Sequence, residues 1–425
     1  MNVVGILIAI YAGIVLLFSL PFMQSALAGW TANILTEQLK SKIEIESVNL
    51  GFLNRVVVND MTIYEPDGKK MASIARVAAS INLFSLLDGQ VNIGTAQLFG
   101  VKATLYKETP DSKPNFQFIV DAFSKKEKKE KSPLNLHIGS LIMRHADVRY
   151  DVMSAPLQTK KLDTHHLNLH DVGMNVVLRC LTDDSLNMTV RRLQAQDLYS
   201  GLTIRDTKLK LIGNRQQATL TDLVMEMPHS QMMVDTIAVN YEHWKSDRAF
   251  TFHTSTITGH ITPSDIAPLL GKKFPRTPAV NISIAIEGDE KNVQLKRCQV
   301  DTEGDGMMLQ TNAWIAQPLD EENRAIHAEI SQLSINSSDL QTWANLLAPE
   351  HHQERLFRAI KNVTYEGTID YAQGEISSQG NISTGLGNAS YDLTYDQEHF
   401  LMGTLNGDSI NIGLHVLIID ADCSF

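Results

Sequence analysis

From residue 43 onward one pattern dominates the chain: apolar and polar residues alternate at every second position. Val77, Ala79, Ile81 and Leu83 interleave with Ala78, Ser80 and Asn82. Val101, Ala103 and Leu105 interleave with Lys102 and Thr104, and Leu134, Leu136 and Ile138 with Asn135 and His137. The pattern returns at Leu186, Met188 and Val190, at Ile282, Ile284 and Ile286, at Ile326, Ala328 and Ile330, and at Tyr391, Leu393 and Tyr395. Successive side chains of a strand point to opposite faces, so each run gives one apolar and one wet face. Turn signals punctuate the runs at Pro66-Asp67-Gly68, Leu87-Asp88-Gly89, Glu287-Gly288-Asp289 and Glu303-Gly304-Asp305-Gly306. A mainly β fold is predicted, an antiparallel sheet with one solvated face. Its apolar face must be covered by closure, by a second sheet or by a ligand.

Helical interruptions are few. Phe84–Leu87 and Phe116–Phe123 read as short turns of helix, and a clearer helix runs from Ser338-Asp339 to Leu347, before Pro349. Ser338 is the expected N-cap, with Asp339 in the first turn. The run Lys125-Lys126-Glu127-Lys128-Lys129-Glu130-Lys131 is a solvated linker, taken as 125–133. One echo suggests duplication. Ile261-Thr262-Pro263-Ser264-Asp265-Ile266 recurs, 74 residues on (335 − 261), as Ile335-Asn336-Ser337-Ser338-Asp339-Leu340. The expected organisation is a β region at 43–124, the linker, a sheet region at 134–260, and repeat modules at 261–334 and 335–408. Residues 409–425 read as the truncated start of a further module, so the chain is expected to be incomplete as a functional unit.

At the other end, Val3 to Leu20 is eighteen residues without a charge. As a helix it spans about 27 Å, close to a bilayer core of about 30 Å. Residues 1–24 are therefore expected to be a transmembrane anchor, with Val3, Leu7, Ile14, Leu17 and Leu20 in the bilayer and Trp30 near the headgroups. A removable signal peptide is the second reading, because Ala26-Leu27-Ala28 before Gly29 has the small-x-small pattern. After Pro21 an amphipathic helix is expected over 25–42, with Ala26, Trp30, Ile34, Leu35 and Leu39 on one face. No second apolar run of this length follows, which excludes a multispan channel.

Chemistry is sparse. A formal net charge of -11 argues against nucleic acid as the partner. GxSxG, GxxxxGK[ST], HExxH and GxGxxG are all absent from the sequence. His165, His166, His170 and Asp171 form the best metal candidate, although alternation with Leu167 and Leu169 suits a strand whose wet face carries histidines. Asp183-Asp184 and Glu321-Glu322 are weak acid-base candidates in turn-like contexts. Cys180 and Cys298 could pair in an oxidising compartment. An enzyme is not expected, and neither cofactor nor metal is assigned.

The N-terminal third carries a resemblance. The anchor and helix are followed by Ile43-Glu-Ile-Glu-Ser-Val48-Asn-Leu50 and by Val58-Asn59-Asp60-Met61-Thr62-Ile63-Tyr64-Glu65-Pro66-Asp67-Gly68. Then come Ile81-Asn-Leu83-Phe-Ser-Leu86-Leu87-Asp-Gly89-Gln-Val91-Asn-Ile93, Leu98-Phe-Gly100-Val-Lys-Ala-Thr-Leu105-Tyr106 and Asn115-Phe116-Gln117-Phe118. This resembles the AsmA-like superfamily, and within it the N-terminal portion of the TamB-type translocation and assembly modules. The resemblance implies a single-pass inner-membrane protein of a diderm bacterium with its body in the periplasm. It implies an elongated, twisted open sheet shaped as a trough, which carries phospholipid toward the outer membrane and supports assembly of outer-membrane and secreted proteins. A TamA-type outer-membrane β-barrel is the implied partner, but relatives of this type extend well beyond 425 residues and end in a β domain that this sequence lacks, so that contact is in doubt. The groove candidates are Val77, Ala79, Ile81, Leu83, Val101, Ala103, Leu105, Leu136, Ile138, Ile282, Ile284 and Ile286. The alternative of another class is a scaffold that pairs client strands at its sheet edge.

Overall fold

Long strands joined by short turns build nearly all of the computed structural model. It describes residues 20–50, 55–81, 92–124, 137–181, 185–241, 250–271, 274, 277–304, 306–320, 322–347, 360–396 and 400–408. Two units divide the chain. The first holds Met1–Thr182, Asn187–Lys208 and Pro268–Lys272; the second holds Asp183–Leu186, Leu209–Ala267 and Lys273–Phe425.

In the first unit, helix α1 (Pro21–Leu39) precedes β1 (Ile43–Leu50), β2 (Arg55–Tyr64), β3 (Lys70–Ile81) and β4 (Asn92–Lys107). Helix α2 (Gln117–Ser124) then leads to β5 (His137–Val152), β6 (His166–Leu181) and β7 (Ser185–Asp197). Pro21 opens α1 rather than kinking it, since its fixed φ and missing N–H suit the first helical position. The single apolar face expected for 25–42 is not found. Phe22 and Trp30 are 65% and 64% exposed while Ala28 and Leu39 are buried, so apolar residues lie all round the helix. Its C-terminus docks on β1, where the Ile43 N–H donates to Thr36 Oγ1 at 3.1 Å.

The expectation of a purely antiparallel sheet fails at one pair. β4 and β5 run parallel, from Asn92 opposite His137 to Lys107 opposite Val152. Parallel neighbours need a crossover connection, and the chain supplies one through α2. The sheet is therefore mixed. The predicted linker at 125–133 lies outside the described residues.

The second unit is an antiparallel meander. After the short β8 (Thr203–Ile204), which pairs with β7, it runs through β9 (Asp206–Asn214), which starts in the first unit, β10 (Gln217–Glu226) and β11 (Gln231–Tyr241). β12 (Phe250–Thr254) and β13 (Ile257–Ile261) are two halves of one strand position, each pairing with β11 on one side and β14 (Val280–Asp289) on the other. β15 (Asn292–Thr302), β16 (Met307–Ala316) and β17 (Ala325–Ile335) follow, then β18 (Val363–Ala372), β19 (Glu375–Thr384), β20 (Gly387–Tyr395) and β21 (Leu401–Asp408). Helices α3 (Pro263–Leu270) and α4 (Ser337–Leu347) sit at the two copies of the sequence echo, and each is followed by four strands.

The echo has a structural cause. Asp265, in the first turn of α3, accepts from His229 N–H at 2.7 Å and Ser230 Oγ at 2.9 Å, in the turn between β10 and β11. Asp339, in the first turn of α4, accepts from Thr302 Oγ1 at 2.9 Å, at the turn between β15 and β16. One carboxylate thus ties each helix to a hairpin two strands back. Gly306 leaves the space for it, because an added Cβ would collide with the Asp339 carboxylate. The N-cap of α4 is Asn336, whose Oδ1 accepts from Asp339 N–H at 2.8 Å, and not Ser338. Burial opposes charge on Asp265, but the bonds from His229 and Ser230 outweigh it and hold its carboxyl below the usual range. Its contribution is therefore complete above the ordinary carboxylate pKa and is lost as pH falls through the folded value. Asp265→Ala is expected to destabilise the second unit by about 1–3 kcal/mol at neutral pH, and by less near pH 3, as read by urea unfolding at both pH values. Equal losses at the two pH values would refute the charged anchor.

Candidate functional site on the apolar sheet faces

Paired residues on neighbouring strands point to the same face, so the register tells which side chains share a surface. In the first unit Val58, Val77, Leu98, Met143 and Met174 form one row across β2 to β6. Met61, Ile74, Val101, Ala146 and Val172 form the next. Ile63, Ala72, Ala103, Val148 and Leu169 form a third. At about 4.8 Å per strand, these rows run roughly 19 Å from β2 to β6.

Adjacent rows are not separated by two residues everywhere. Val58 to Met61, Leu98 to Val101 and Met143 to Ala146 each skip three, and Asp60, Gly100 and His145 sit in those gaps with positive φ of 48°, 63° and 53°. In β6 the skip falls one row on, from Leu169 to Val172, around Asp171 at φ 47°. An extra residue in the left-handed region behaves as a bulge: it puts two consecutive side chains on the polar face and restores the apolar face beyond it. Because the three-residue steps of β2 to β5 fall between the same two rows and that of β6 one row on, the apolar face stays continuous across β2 to β6.

The second unit repeats the arrangement. Ile282, Val300, Leu309, Leu333, Tyr365 and Ile382 form one row. Ile284 continues through Cys298, Thr311 and Ile330 to Gly367, Gly380 and Tyr391. Ile286, Leu295, Ala313, Ala328 and Ile369 form a third. From β14 to β21 the face measures roughly 34 Å across the strands. The Gly367–Gly380 pair leaves a gap in the second row that Tyr365 and Tyr391 cover, their rings stacked at 6.1 Å and 15°.

Burial is shallow on these faces. Among the described residues no side chain larger than alanine falls below 2% exposure, and only Ala146 reaches 0%. The best-covered cluster is Ile74, Val101, Ala146 and Val172, in the first unit. On the second unit's face the apolar residues are half-buried, and Ile376, Leu401 and Leu405 are 43%, 48% and 61% exposed. Depressions of about 400 and 290 Å³ in that unit are lined mainly by the polar face, including His253, Glu287, Gln294 and Trp314 in the larger.

Of the residues singled out from the sequence, Val77, Ala79, Val101, Ala103 and Leu105 share the first unit's apolar face, and Ile282, Ile284 and Ile286 that of the second. Ile81 and Ile138 both pair with Ile93. Leu83 and Leu136 lie outside the described residues, as do Val3, Leu7, Ile14 and Leu17. Leu20 is 41% exposed. Among the described residues no helix is long and apolar enough to cross a membrane.

The histidines belong to the polar face and pair with carboxylates across it. His166 lies opposite Asp151, with Nδ1 at 2.9 Å from its Oδ1 and Nε2 at 3.0 Å from the Ala155 carbonyl. His170 Nδ1 meets Asp147 at 2.7 Å, and His145 Nδ1 meets Asp171 at 2.8 Å. Each histidine is thus committed to its own cross-strand carboxylate, and no cluster that could hold a metal occurs among the described residues. No disulfide joins Cys180 and Cys298, which lie in different units. The Asp151 carboxylate raises the His166 pKa, and the Ala155 carbonyl adds to it against the opposing effect of burial. The protonated form is therefore the one the fold favours. Its contribution is complete below the ordinary histidine value and fades as pH rises through the folded value. The thermal midpoint of the first unit is expected to fall between pH 6 and 8, and to fall less in Asp151→Asn; an identical pH slope in that variant would remove the pair from the account.

Compared with known proteins, the chain matches no family, no curated protein and no solved structure.

Proposed function

We propose that this is a non-enzymatic lipid-carrying protein of the AsmA-like kind. Its two apolar sheet faces hold acyl chains, and its N-terminal segment holds it in the inner membrane with the body in the periplasm. The observation that carries the reading is the alignment of apolar rows by matched bulges, on faces where no large side chain is fully buried. Such a face remains wet unless something covers it, and exposed contiguous apolar surface is a mark of a binding site. Transfer of hydrocarbon from water gains about 0.8 kcal/mol per buried methylene, so an acyl chain on half of this surface gains several kcal/mol with no polar recognition. Each face is longer than one bilayer leaflet's hydrocarbon depth of about 15 Å. In this reading the body is an elongated trough that passes phospholipid toward the outer membrane, where assembly of outer-membrane proteins depends on supply. Extraction of the purified full chain with organic solvent is expected to release phospholipid in at least equimolar amount; a lipid-free chain that still resists protease would sink the proposal.

A further inference from the structure

The polar face of the second unit carries a line of neutral hydrogen-bonding side chains. Three glutamines stand opposite one another on neighbouring strands, Gln299 on β15, Gln310 on β16 and Gln332 on β17. Glu366 on β18 lies opposite the Ser331–Gln332 step, since Ile330 pairs with Gly367 and Leu333 with Tyr365. Asn381 on β19, Ser390 on β20 and Asn406 on β21 complete the row. From β15 to β21 the line is about 29 Å long, at about 4.8 Å per strand.

This line is the floor of a trough. Three depressions, of about 590, 500 and 290 Å³, follow it, and Ser331 lines all three. Most of its hydrogen-bonding groups are unspent. Asn381 Nδ2 donates to Glu366 Oε1 at 3.2 Å, and Ser331 Oγ to the Gln310 carbonyl at 3.2 Å. The side chains of Gln299, Gln310, Gln332, Ser390 and Asn406 make no hydrogen bond to protein among the described residues.

Charge argues against an anionic occupant. Lys296 and Arg297 line one end of the trough, and Lys296 is already paired with Glu287 at 2.7 Å. Glu329 and Glu366 line it farther along, and the flanking polar positions add Asp301 and Asp392. Two cations thus stand among five carboxylates, with Glu287 counted. A free amide donates and accepts at once, and so does each hydroxyl of a sugar. The strand spacing of about 4.8 Å is close to the length of one pyranose unit in an extended chain, so that one sugar meets one strand. Trp314, 44% exposed, adds an indole plane on the same face of β16 as Gln310.

We infer that the second unit binds a linear neutral glycan along this trough, on the face opposite the acyl-chain surface. A peptide is recognised by edge backbone or by apolar pockets, and the row presents neither, since the apolar side chains of these strands point to the other face. The inference does not rest on the acyl-chain reading.

The test is isothermal titration of the full chain with soluble β-1,4-linked oligosaccharides of glucose and of N-acetylglucosamine. Binding of at least one series is expected, and affinity should rise about tenfold or more from the disaccharide to a chain that spans the trough. Gln310→Ala with Gln332→Ala should weaken binding about tenfold, with an unchanged thermal midpoint, because neither side chain bonds to protein. Should that pair lower the midpoint, Asn406→Ala at the exposed end of the row carries the same test. Gln217→Ala, on β10, should leave binding unchanged. No binding of either series, equal affinity for the disaccharide and the long chain, or tighter binding of an anionic polysaccharide such as polygalacturonate would overturn the proposal; so would undiminished binding by the row variants.

Discussion

Ala146→Asp is expected to unfold the first unit. Ala146 is fully buried, packed with Ile74, Val101 and Val172 where four strands cross the bulge line. A carboxylate there has no partner, and burying it costs several kcal/mol, a large part of the 5–15 kcal/mol that typically holds a domain together. Val101→Asp, at 8% exposure, should act in the same way. Such variants therefore report on stability before they report on ligand. Lys102→Glu, on the exposed face beside Val101, is expected to change stability by less than about 0.5 kcal/mol. Hydrogen exchange separates the outcomes: the amides of β3 to β6 should lose protection in Ala146→Asp while those of β14 to β21 keep theirs. Unchanged protection in β3 to β6 would mean that the cluster around Ala146 does not hold the first unit together.

Ile284→Asp with Ile369→Asp should do the reverse. Both residues sit on the apolar face of the second unit and both are half-buried, so water can solvate the new carboxylates. The expected loss of stability is modest, about 1–2 kcal/mol in total. Two charges within an apolar surface, however, displace any acyl chain that crosses them, and bound phospholipid should fall about tenfold or more. Asn312→Asp with Thr368→Asp places the same charges on the opposite face of β16 and β18 and should leave the lipid content unchanged. The contrast is between faces and not between positions along the chain. Equal loss from both pairs would end the face-selective reading.

Much of this was legible in the alternation. The runs at 101–105 and 282–286 correctly place their apolar residues on a single face, because a strand has no other way to use period two. What the alternation hides is continuity. Leu98 and Val101 differ in parity, and only the left-handed Gly100 between them explains why both line the same surface. Nothing in Met143-Arg144-His145-Ala146 marks a bulge, since the signal lies in the alignment with neighbouring strands. The parallel step from β4 to β5 was hidden for a similar reason: a short helix such as Gln117–Ser124 suits either a crossover or a cap. Spacing predicts an amphipathic helix over 25–42; the helix runs from Pro21 to Leu39, and spacing could not show that its apolar residues surround it. The echo at Ile261 and Ile335 was visible because each copy needs a first-turn aspartate to reach a hairpin, whereas Asn336 as cap was masked by the serines after it. The alternation around Leu167 and Leu169 already suits a strand whose wet face carries histidines, but the partner of His170, Asp147 on the neighbouring strand, is not revealed by sequence order.

The central claim is that the apolar faces carry acyl chains. Photocrosslinking from single sites tests it most directly, with a photoreactive amino acid in place of Ile284, Leu333 or Ile369 on the apolar face, or of Lys296, Asn312 or Thr368 on the polar face. After irradiation in cells, mass spectrometry of the purified chain should find phospholipid adducts from the first three positions and none from the other three. Adducts from both faces alike, or only protein adducts from the apolar face, would contradict it.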